Sequence, residues 1–137
     1  MNKIFATSLS VVALGFASAA SAQSTAAVSA SDQDMSGGTV MAESVTAPAN
    51  GWLVVHRTED GAKPGPVVGY APLVAGENEN VSAILQEEIA SGDQLMLMVH
   101  GEDGGMKTGV FEYSLGAKED GPVRVDDKLV MSVVTAQ

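Results

Sequence analysis

The chain has 137 residues, with 17 acidic side chains against 7 basic ones, a formal net charge of −10 and no cysteine. That length suits one domain with a real core. The acidic balance excludes a nucleic-acid binder, whose affinity comes from Lys and Arg on phosphate, and the missing thiols exclude a disulfide framework and a lipid-bearing Cys.

In chain order, residues 1–22 read as a signal peptide. Lys3 supplies the positive start, 4–16 the apolar stretch, and Ala20-Ser21-Ala22 the small-residue cleavage motif. The apolar run is too short for a permanent transmembrane helix, so the expectation is an exported protein, periplasmic or extracellular, with no stable membrane anchor. Residues 23–37 form a small, polar leader in which 26–29 can make a short edge strand. Residues 38–137 form a single domain.

Within it, strands are expected over 39–45, 52–57, 67–70, 80–86, 94–100, 110–113, 122–125 and 129–135, each bounded by Gly, Pro, Asn or Asp turns. Along 52–57, Trp52, Val54 and His56 share one face, and Leu53, Val55 and Arg57 the other. Seven or eight short strands without a credible helix predict an antiparallel β-sandwich, with an Ig-like Greek key as the preferred topology.

The stretch 51–113 contains one pattern written twice. GWLVVHRTEDGAKPGPVVGY and LMLMVHGEDGGMKTGVFEY each run an apolar strand into a histidine, an acidic Gly-rich turn, a Lys, a Gly and a second apolar strand. Val55 matches Val99, His56 matches His100, Gly61 matches Gly105, Lys63 matches Lys107 and Gly65 matches Gly109. Two similar β-hairpins follow from this reading.

The runs Asp32-Gln33, GWLVVHR, GPVVGYAPLVAGENENVSAIL, MLMVHGEDG and GVFEY resemble an uncharacterised secreted all-β domain family of haloarchaeal and bacterial exported proteins. The resemblance covers about residues 26–137. It implies a compact exported β domain and carries no catalytic residues to transfer.

His56 and His100 are the leading candidates for chemistry. As equivalent positions of a repeat they can meet if the hairpins pack as neighbours, and Met96, Met98 and His100 alternate on one strand face. Thioethers with imidazoles suit copper, and imidazole alone suits zinc. In the plainer reading, a Met-x-Met face packs a core and a strand-end histidine caps a loop.

The acidic turns at Asp60-Gly61, Asp103-Gly104, Asp120-Gly121 and Asp126-Asp127 lack the ligand spacing of an EF-hand and read as hairpin chemistry. Trp52, Tyr70 and Tyr113 could anchor a partner if exposed together. No nucleophile elbow, phosphate loop or His-Glu-x-x-His occurs. The expectation is therefore a non-enzymatic binding or structural module with no cofactor, meeting an unknown protein or glycan at the cell envelope. Its alternative is a periplasmic copper- or zinc-binding protein that uses His56, His100, Met96 and Met98.

Overall fold

Two strands, β3 (Gly51–Thr58) and β6 (Gln94–Gly101), are buried on both faces along most of their length, and the other strands are arranged around them. A computed structural model describes residues 25–137, all of them strand, turn or irregular. The segment 1–22, read as a signal peptide, lies outside the described residues.

The strands β1 (Ala27–Ser29), β2 (Thr39–Ala47) and β5 (Gly76–Ile84) form one sheet in the order β1-β2-β5. The second sheet has the order β4-β3-β6-β9, with β4 at Val67–Leu73 and β9 at Met131–Thr135. A small hairpin, β7 (Arg124–Val125) with β8 (Lys128–Leu129), forms a two-stranded sheet of its own. Every ladder is antiparallel.

Three strands facing four in this order make the expected antiparallel β-sandwich. Its topology is the Ig-like Greek key, except that the fourth strand pairs with β3 instead of joining the sheet of β5. The main core lies between the sheets, where Val40, Ala42 and Val45 meet Leu53, Val55, Leu95, Leu97, Val99 and Val134. At roughly 1.5–3 kcal/mol per fully buried aliphatic side chain, this layer is the chief source of stability in a chain without disulfides.

Several elements differ from the sequence reading. The leader's short edge strand, expected over 26–29, forms as β1, but the described part of the leader, 25–37, also contributes a bridge from Gln33 to Ala136 and the buried Met35. Among the described residues the packed unit thus includes β1 and Met35 and does not open at residue 38. Strand β5 starts earlier than expected because Asn78 closes the preceding turn, its Oδ1 accepting from Val74 N at 3.0 Å and its Nδ2 donating to Val74 O at 2.9 Å. Pro72 is tolerated inside β4 because that strand lies at a sheet edge.

The second hairpin is absent. Residues 110–113 form no strand, since both edges of β6 are already taken, one by β3 and the other by β9 and an isolated bridge from His100 to Pro122. The segment 102–121 instead crosses the outer face of the four-stranded sheet, bringing Phe111 against Trp52 and Tyr113 against His100.

Candidate functional site

The residues under that crossing segment are those the strand period turns away from the main core. Trp52, Val54 and His56 on β3, and Met96, Met98 and His100 on β6, are buried yet stand outside the inter-sheet cluster. The two histidines are 0% and 1% exposed, and Met96 and Met98 0% and 1%.

The register explains how the histidines meet. On the β3–β6 ladder Trp52 faces His100, Val54 faces Met98 and His56 faces Met96. The sequence repeat relates residues 44 positions apart, as His56 and His100 are. In an antiparallel pair only one couple is both cross-strand partner and repeat equivalent, and that couple is Val54 and Met98. A local two-fold axis therefore passes through them, and the two imidazoles lean toward it from opposite ends. Their Nε2 atoms come within 3.4 Å and the ring centroids within 5.5 Å.

Hydrogen bonding fixes the tautomers. His56 Nδ1 lies 2.8 Å from Gly65 O, and His100 Nδ1 lies 2.6 Å from Asp120 O. A carbonyl oxygen accepts and never donates, so each Nδ1 carries a proton and donates it. In a neutral ring the remaining nitrogen, Nε2, then presents a lone pair. Two lone pairs face one another across 3.4 Å. Backbone carbonyls holding Nδ1–H while Nε2 points inward is the usual outer support of a metal-binding histidine.

Burial keeps the rings neutral. It pushes His56 below the ordinary histidine value, against the opposing pull of the Gly65 carbonyl. It lowers His100 to about 4, opposed by the hydrogen bond to Asp120 and reinforced by repulsion from His56.

The roof of the site is the segment 102–121. Tyr113 sets its ring edge-on to His100 at 4.5 Å and to His56 at 5.8 Å. The fully buried Asp120 pins both ends of the segment. Its Oδ1 accepts from Asp103 N at 3.2 Å, its Oδ2 from Glu112 N at 2.8 Å, and its backbone N donates to Asp103 O at 2.9 Å. Trp52 ties in from below, its Nε1 donating to Glu102 Oε2 at 3.0 Å.

The sequence pointed to His56, His100, Met96 and Met98, and the structure places all four side chains on one buried face. It missed Asp120 and Phe111. Asp120-Gly121 reads as one more turn, and nothing local reveals that its carbonyl reaches a histidine 20 residues earlier. Tyr70 stacks on Phe111 at 4.3 Å and stays 41% exposed, whereas Trp52 is buried, so the three named aromatics do not form one open platform. The acidic turns do not converge: among the described residues no three of His, Cys, Asp or Glu gather at a point. A cleft lined by Arg57, Asp60, Lys63, Pro64, Gly65 and Asp93 is open to solvent, and Gly65, through its carbonyl, links its wall to His56.

Fold and site together define a Greek-key β-sandwich with a paired-histidine centre on the outer face of one sheet. The chain belongs to the family described as domain of unknown function DUF7282, which matches residues 26–137. Comparison with curated proteins and with solved structures finds no match.

Proposed function

We propose that this chain is an exported, non-catalytic β-sandwich module whose ligand is a transition metal ion held by Nε2 of His56 and His100. The observation that carries this reading is the pair of imidazole lone pairs facing each other at 3.4 Å, each fixed by an Nδ1–carbonyl hydrogen bond. With metal–nitrogen bonds of about 2.0 Å, as for copper or zinc, two nitrogens on one ion stand about 3.3–3.5 Å apart at tetrahedral to trigonal angles. The 3.4 Å spacing of the two Nε2 atoms already matches that of two ligands on one ion. Export is supported by Lys3, the apolar 4–16 stretch and Ala20-Ser21-Ala22.

Thermal unfolding against copper(I), copper(II), zinc and calcium tests the reading. An ion that binds only the folded form raises the midpoint by mass action, by about 2.7 kcal/mol of stability at a hundredfold excess over Kd. Copper or zinc is expected to raise it, calcium to leave it unchanged, and His56→Ala or His100→Ala to abolish the rise. No shift with any ion would defeat the metal reading.

A second reading, a module that meets a protein or glycan partner at the cell envelope, is favoured by one observation. The Trp52–Phe111–Tyr70 ring chain reaches the surface at Tyr70, next to the exposed Ile84. Tyr70→Ala separates the two readings, because it would weaken partner capture while leaving ion binding intact.

A further inference from the structure

On the reading that the histidine pair holds a metal ion, we infer that the ion is copper(I), with the Met98 thioether as third donor and the Asp120 carboxylate as its counter-charge.

Three observations lead there. The first is the angle. Two bonds of about 2.0 Å that close a 3.4 Å gap between the Nε2 atoms subtend about 115°, well short of the linear arrangement in which two donors suffice. A third donor is therefore required on the open side. The second is which donors the neighbouring residues offer for it. Among the described residues no third His, Cys, Asp or Glu joins the pair. The Tyr113 hydroxyl is engaged by Gly116 N at 3.4 Å. Met98 alone of the two methionines belongs to the couple on the local two-fold axis, and it shares the face of His100 two residues away. A thioether beside two imidazoles is a soft donor set, which favours copper(I) over zinc or copper(II).

The third observation is charge. Each histidine spends its Nδ1 proton on a backbone carbonyl, and among the described residues the only fully buried carboxylate is Asp120, both of whose oxygens accept backbone N–H groups. One buried negative charge is balanced by one positive charge. A dication would leave a net charge in a site closed to water, at a cost of several kcal/mol. Copper(I) binding here releases no proton, since both Nε2 lone pairs are already free, and it needs no electron transfer when copper is supplied in the reduced state.

The test is an anaerobic titration of the full chain with copper(I) against a chromophoric copper(I) chelator, paralleled by zinc, with X-ray absorption on the loaded protein. One copper(I) per chain is expected, with two nitrogen scatterers and one sulfur, and affinity at least a hundredfold above that for zinc. Met98→Leu, close to isosteric, should remove the sulfur scatterer and weaken copper(I) about tenfold or more. Met35→Leu, a buried methionine of the inter-sheet core, should change neither. Histidine-dependent binding of zinc as tight as copper(I), or of copper(I) with no sulfur scatterer, would overturn this inference and leave the metal reading standing. Failure of every ion to bind would overturn both.

Discussion

Gly51 opens β3 opposite Gly101, and a Cβ built there would stand 2.2 Å from the carbonyl oxygen of His100. Neither partner in that clash is a flexible side chain, so the two central strands would have to part beside the histidine. Gly51→Ala should cost about 3 kcal/mol in denaturant unfolding, at the upper end of overpacking effects. Protonation supplies a second expectation for the metal-free protein. Burial holds folded His100 at about 4, against 6.5 for an unperturbed histidine. Above pH 6.5 both forms of the ring are neutral. As the pH falls below that value the unfolded chain takes up the proton first, so stability is full above pH 6.5 and declines toward pH 4. The loss should be on the order of 3 kcal/mol by pH 4. In urea titrations across this range, His100→Gln should flatten the slope. The two histidines were legible in the sequence as repeat equivalents. Their tautomers were not, because these depend on the carbonyls of Gly65 and Asp120, whose positions only the folded chain fixes.

Among the elements, the repeat was half informative. Its first strands, β3 and β6, became hydrogen-bonded neighbours, and its first hairpin formed as β3–β4. The second hairpin did not form, because strand pairing is a competition for edges that hydrophobic pattern alone cannot referee. Segment 110–113 has the composition of a strand and no free edge to join. It became a cover, held by Phe111 on Trp52 and Tyr70 and by Tyr113 on the two histidines. Phe111→Ala should therefore loosen 102–121 while leaving the ladders of β3 and β6 in place. Hydrogen exchange is expected to rise in the segment and to stay slow in both strands. Emission of Trp52, the sole tryptophan, should shift to the red as water reaches it.

For the molecule as a whole, the all-β class and the Greek-key order were readable from strand count and turn spacing. The starting point of the packed unit was not. Small polar residues between 25 and 37 look like a tether, yet Met35 is 2% exposed and the Gln33 side chain accepts from Met41 N at 2.8 Å and donates to Met41 O at 2.9 Å. The reference for a test is a chain begun at Thr25, the first described residue. A chain begun at Gly38 loses Met35 and β1 and should melt several degrees lower, since 2–4 kcal/mol of burial is a large part of the stability of a domain of this size.

The cover over the histidines also has a kinetic side. With both imidazoles 0–1% exposed beneath 102–121, no ion touches Nε2 until that segment lifts. Uptake followed by stopped-flow emission of Trp52 should accelerate with ion concentration only up to a ceiling, the opening rate, and then become indifferent to further ion. Departure passes through the same opening. Cargo held by two nitrogens and a thioether would then have a residence time set by the roof above it as much as by the strength of its bonds.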